Sequence, residues 1–341
     1  MKKIRGLFGL LIVGCLAVSQ SVGETFSQNF AQDPLTNGWK TFGDTNLFHW
    51  DSTNQNLRVT WDSSHTNSFF YHSLGTIVTR HDDFQIEFDL KLDDIASGNE
   101  PGKTGPLQIA IGFFNFANAT NASFGRGIYG GAPNVAEFDY FPAGYYDFGG
   151  IFPVAPTTTP TFISSGGFSF APTFFAPFYL FELPTNQLIH VVMNYTAKNQ
   201  TLTSTLTTNG PLLFQPPKVV LSNTNTSGFS TSDNFSVDTF SVTSYSSVGD
   251  AFDSVLAHGF VDNLFVNIPP VQNLTGAFSS NVWQAQFRGR TNWLYTLERA
   301  VDFTSWTNVS AGVSSSVTNL FLQDTNPPTA KAFYRVRAER P

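Results

Sequence analysis

The chain has 341 residues, of which only 13% are charged, and a formal net charge of −7. Its one cysteine, Cys15, excludes an internal disulfide and a thiolate metal site from the mature chain. Residues 24–270 carry 8 Lys and Arg against 21 Asp and Glu, a net −13, whereas residues 271–341 carry 7 against 4, a net +3; the acidic part argues against nucleic acid as a partner and suits divalent cations.

In chain order, Lys2, Lys3 and Arg5 precede a short apolar run, Leu7 to Val13, and then small residues. This is the pattern of an export signal, and residues 1–23 are read as a signal peptide cleaved near Gly23. The run Ile12-Val13-Gly14-Cys15 resembles a bacterial lipobox, which would make Cys15 a lipid anchor. Because Leu16-Ala17-Val18 stays apolar after the cysteine, simple secretion is the preferred expectation. Export without disulfides suggests a bacterial protein, extracellular or on the outer surface. No later stretch has the ~20 continuous apolar residues of a transmembrane helix.

Phe, Thr, Ser, Asn and Gly are abundant, and few good helix formers cluster, which is the composition of an all-β chain. Three short strands are expected between Asn37 and Trp61. Phe84 to Leu92 alternates with apolar residues at every even position, a half-buried strand. Leu107 to Phe116 is continuously apolar and reads as a central strand. Leu188 to Tyr195 and Thr201 to Thr207 read as a hairpin over Ala197-Lys198-Asn199-Gln200. Phe235 to Val242 and Phe260 to Ile268 are late strands. In the first, the apolar positions switch from odd to even, which predicts a bulge. Residues 141–184 break the rhythm with Gly, Pro, Thr and Phe. A loop folded back over the sandwich is preferred there to a ligand groove. Pro269-Pro270 marks a boundary, so the expected units are 24–268, a linker at 269–273, and a small β module at 274–341. Many short strands with turns between them mean an antiparallel two-sheet sandwich.

Within this frame the run Val135-Ala136-Glu137-Phe138-Asp139-Tyr140-Phe141 stands out. Period two puts Glu137 and Asp139 on one face of a strand. Like charges that close require a cation, a proton or an open solvated face. The run resembles the metal-binding strand of the concanavalin A-like superfamily of lectins, laminin G-like modules and β-glucanases. The resemblance implies a concanavalin A-like antiparallel β-sandwich (jelly roll) over residues 24–268. It also implies a metal site in which Phe141 supplies a carbonyl, Ala143 stands in the place of an Asn, and Asp147 is a later acid. The segment after Pro270 resembles small β modules of secreted proteins from environmental bacteria, through Trp293 to Glu298, Asp302 to Trp306, Asp324 to Pro327 and Phe333 to Val336. It is expected to be an immunoglobulin- or fibronectin-like sandwich.

The β-glucanases of the superfamily carry Glu-x-Asp-x-(x)-Glu, in which the last Glu is the acid/base. Here Phe141 or Pro142 holds that place, and Glu182 is a distant substitute. None of the six histidines has metal-like spacing with another, and there is no Gly-x-Ser-x-Gly elbow. The expectation is therefore a non-catalytic, lectin-like protein that binds an extracellular glycan or cell-surface component. A glycoside hydrolase or lyase, and a structural surface protein without a small ligand, are the alternatives. Trp61, Tyr145 and Tyr146 are the expected sugar platforms. Glu137, Asp139 and Asp147 are the expected ligands of one metal ion, and Asp262, in a terminal strand, is the expected ligand of a separate structural Ca²⁺.

Overall fold

The computed structural model describes residues 26–103, 105–122, 124, 134–140, 142, 162–164, 182–215, 219–220, 235–246, 253–290, 293–314, 319–329 and 331–339. The expectations on residues 1–23, Cys15, Phe141, Ala143, Tyr145, Tyr146 and Asp147, and on most of 141–184, lie outside these residues. The chain divides after Ile268 into two compact units.

The first unit is an antiparallel two-sheet sandwich, the architecture expected for it. The larger sheet follows the order Leu212–Phe214, Thr201–Thr207, Ile189–Thr196, Phe84–Ser97, Asp253–Asn267, Asn56–Asp62, Phe48–Asp51. The short strand Phe26–Gln28 also pairs with Asp253–Asn267. The smaller sheet follows the order Phe162–Ser164, Val135–Tyr140, Ile109–Phe114, Ser236–Ser244, Ser68–Thr79, Lys40–Phe42.

Alternation explains the larger sheet. Phe84, Ile86, Phe88, Leu90 and Leu92 are buried on the inner side, while Gln85, Glu87, Asp89 and Lys91 are only partly covered on the other. The strand runs on to Ser97, five residues past its apolar pattern, because Asp253–Asn267 pairs with it as far as Ser97. The expected hairpin forms between Ile189–Thr196 and Thr201–Thr207. Strand Ile109–Phe114 is buried on both faces, as its continuous apolar run requires. Rings join the two sheets: Phe88 meets Phe138 edge-on at 5.6 Å, and Phe84 meets Phe113 at 5.1 Å. Burying each such ring stabilises the unit by about 1.5–3 kcal/mol.

Two irregularities matter. The expected bulge is present where Ser236–Ser244 shifts register against Ser68–Thr79, between Val237 and Thr239. A second lies between His258 and Gly259, in the long strand opposite Leu92 and Asp94. A Cβ at Gly259 would stand 2.1 Å from the Lys91 carbonyl oxygen, so only glycine lets the two backbones approach there.

The second unit holds two small antiparallel sheets. One is ordered Gln272–Ser279, Val282–Arg288, Asn319–Asp324; in the other, Leu294–Ala300 pairs with Thr307–Asn308, Val313–Ser314 and Phe333–Glu339. Strand Gln272–Ser279 begins inside the span expected as linker and had no apolar alternation to announce it: five of its eight residues, at its far end, are exposed. Trp283 stacks on Tyr334 at 3.9 Å, within a core that includes Phe287, Tyr295, Leu297, Leu322 and Val336. The Tyr295 hydroxyl accepts from Arg290 N–H (2.6 Å) and lies within donating reach of the Pro270 (3.0 Å) and Arg290 (3.1 Å) carbonyls, tying the start of the unit to its centre.

A candidate ligand face on the smaller sheet

Strand Val135–Tyr140 turns Ala136, Phe138 and Tyr140 toward the inter-sheet core, as the Phe88–Phe138 contact shows. Period two then places Glu137 and Asp139 together on the opposite, outer face. Neither is open to water: Glu137 is 0% and Asp139 1% exposed. Of the sequence-level options, an open solvated face is therefore excluded at these two residues.

The strands beside them form a floor of small side chains. Gly112 is the register partner of Glu137, and Ala110 that of Asp139. Ser241 lies opposite Gly112, and Thr243 opposite Ala110. Ala110, Ser241 and Thr243 are all buried, and the two hydroxyls hydrogen-bond each other at 2.9 Å. Gly112 is required at its position: φ is +154°, and an added Cβ would lie 2.5 Å from Glu137 Cα. The absence of a side chain there leaves the space beside Glu137 to the carboxylate.

The Tyr245 hydroxyl, 108 residues away in sequence, lies 3.2 and 3.3 Å from the two Glu137 carboxylate oxygens and donates to them. Its ring packs near Phe69 and Phe124. No local signal marks Tyr245. The apolar alternation of its strand could have placed it on the outer face only once the bulge was located.

Glu182, the distant substitute for a third carboxylate, accepts a hydrogen bond from the Tyr140 hydroxyl. Tyr140 faces the core side of the strand, away from Glu137 and Asp139. Burial, then the hydrogen bond and charge of Glu182, push the Tyr140 phenol well above its usual range, so Tyr140 stays protonated and keeps donating.

The remaining expected residues lie elsewhere. Trp61 is corrected as a sugar platform: it is 0% exposed in the sandwich core and has no face to offer a ligand. The signal was present, since Leu57, Val59 and Trp61 share one side of their strand and all three are buried. Asp262 is not brought to Glu137 and Asp139, because it belongs to the larger sheet. It sits opposite Asp89, beside a register shift and the positive-φ residue Asn263. Burial raises its carboxyl pKa, helped by the Asp89 charge and opposed by the hydrogen bond from Asn263 N–H. Asp89 itself accepts from Asn263 and is paired with His190 at 2.8 Å.

Ca²⁺ takes six to eight oxygen ligands. Glu137 and Asp139 supply hard oxygen donors on one face. Among the described residues, no group of three or more His, Cys, Asp or Glu is arranged to hold a metal. A cation at Glu137 and Asp139 therefore needs further oxygens from groups other than carboxylates, such as hydroxyls and backbone carbonyls.

No family model and no curated protein matches the chain. Solved structures similar to it include the Lotus tetragonolobus seed lectin, at 10% identity and a TM-score of 0.42, covering 72% of this chain and 97% of that one. Basic winged bean lectin is 16% identical with a TM-score of 0.36, covering 72% and 99%. A sialidase is 8% identical with a TM-score of 0.36, covering 72% of this chain and 18% of that one.

Proposed function

We propose that the protein is a non-catalytic, lectin-like carbohydrate-binding protein, exported by way of residues 1–23 and acting on an extracellular or cell-surface glycan through the outer face of the smaller sheet. The observation that carries this reading is the pair Glu137 and Asp139, buried on one face over a floor of Ala110, Gly112, Ser241 and Thr243. Closed to water, these carboxylates do not themselves touch a sugar; they suit a buried ion or hydrogen-bonded brace that holds the outer face in shape for one. Against glycoside cleavage stands Glu182, whose carboxylate is engaged by a tyrosine that faces away from the pair.

Calcium would suit this face as a structural ion, with Glu137 and Asp139 giving carboxylate oxygens and hydroxyl or carbonyl groups the rest. Added Ca²⁺ would then raise the melting temperature by mass action, and a chelator would reverse the shift.

Glycan-array binding by the full chain, repeated with Glu137→Gln, tests the reading. Binding to at least one glycan, lost in Glu137→Gln while the melting temperature stays within a few degrees, is the expected result. Release of reducing ends from a β-glucan by the wild-type protein would overturn it in favour of an enzyme.

A further inference from the structure

A cleft of about 340 Å³ lies at one end of the sandwich, lined by Phe26, Gln28, Asn29, Gln32, Trp39 and His72, with Ser27, Ala31 and Asn37 completing the wall. It is separate from the Glu137 face. His72 pairs with Phe240, whose ring packs against Phe26, Trp39 and Phe113 on the inner side of the smaller sheet. Glu137 lies on the outer side of that sheet.

The floor is aromatic. Phe26 meets His72 at 4.7 Å and Trp39 at 5.9 Å. The rim is polar and uncharged: Ser27, Asn29, Gln32 and Asn37 are exposed and offer hydroxyl and amide groups that both donate and accept. The His72 imidazole completes the cleft wall beside the backbone of Asn37 and Ser73. None of the nine lining residues is Asp, Glu, Lys or Arg. Burial lowers the pKa of the imidazole, which keeps the wall neutral near pH 7.

The wall is also held in place before any ligand arrives. Phe30 has φ +53°, a conformation costly for a bulky side chain, yet it is wholly buried. Gln28 Oε1 accepts from its N–H, and Trp50 Nε1–H donates to its carbonyl. Asp33 accepts from Leu35 N–H, and Gly38, at φ +86°, closes the following turn and bonds back to Pro34. These hydrogen bonds fix the chain that carries the lining residues Gln28, Asn29, Ala31 and Gln32.

We infer that this cleft is a second ligand site, which takes a neutral polyhydroxylated ring, one or two sugar residues at the end of a glycan chain. A volume of this size is at the lower end of small-molecule sites. Aromatic rings in the wall and amides around the rim match the C–H patches and hydroxyls of a pyranose. An ionic ligand would find no counter-charge among the lining residues.

The test is saturation-transfer NMR on the full chain with glucose, galactose, mannose, xylose and N-acetylglucosamine, each alone. The His72 imidazole resonances are followed in the same titrations. At least one sugar should show transfer and shift the His72 ring. Gln32→Ala combined with Asn37→Ala should weaken that sugar about tenfold, the equivalent of one or two hydrogen bonds. Ala31→Trp, at an exposed wall position, should fill the cleft and abolish binding while the Glu137-dependent array signal persists. The inference is overturned if none of the sugars shows transfer, if the His72 resonances stay fixed at saturation, or if binding survives Ala31→Trp unchanged.

Discussion

At the scale of single residues, the two aromatic and acidic types that the sequence offers in excess separate by what surrounds them. Trp61 is one of the largest fully buried side chains, so Trp61→Ala should cost about 3–5 kcal/mol of stability in urea unfolding, with any glycan affinity of the folded fraction unchanged. Asp302 behaves differently. It is solvent-exposed, and hydrogen bonds from the Ser305 and Thr304 backbone N–H groups hold its carboxyl at about 2, below the ordinary 3.8. A depressed carboxyl stabilises its turn fully above the ordinary value, and that contribution is lost as the pH falls through about 2. A carboxyl NMR titration should place the Asp302 midpoint there, and Asp302→Asn should remove that pH dependence from the Thr304 and Ser305 amide shifts. That Glu137 and Asp139 share a face was legible from their spacing. Their surroundings were not, because Tyr245 and the small neighbours Gly112, Ala110, Ser241 and Thr243 come from other strands.

At the scale of elements, strands with strict alternation were legible and those shaped by partners were not. Phe84–Ser97 continues past its apolar pattern because a longer neighbour pairs with it, and Gln272–Ser279 has a largely exposed sequence that no periodicity marks. The cleft residues show the same limit: Asn29, Gln32 and His72 carry no local motif, and the fold brings them together across more than 40 positions. The register shift at Gly259 is where a small change has a large effect. Gly259→Ala would push a methyl into the Lys91 carbonyl, so the two central strands must move apart. A loss of about 1–3 kcal/mol or more in denaturant unfolding is expected, whereas Gly102→Ala, with nothing within 4 Å of the added carbon, should cost only the backbone strain of its φ of +81°, about 1 kcal/mol.

At the scale of the whole molecule, each unit encloses its own apolar core. Calorimetry should therefore resolve two transitions. Tyr295→Phe removes the hydroxyl that joins Pro270 and Arg290, and should lower only the transition of the unit after Ile268, by several degrees.

The borders of the two sheets of the first unit are short. Each path begins and ends on a strand of three or four residues, Leu212–Phe214 and Phe48–Asp51 in one, Phe162–Ser164 and Lys40–Phe42 in the other, although the central strands reach 14 and 15 residues. An unpaired backbone rim is a template on which a second copy can add, and a rim this brief gives it little to grip. Crowded copies of the first unit should accordingly meet through side chains rather than by zipping these edges together, which leaves the longer edge strand Gln272–Ser279 of the second unit as the place where such pairing is expected to start.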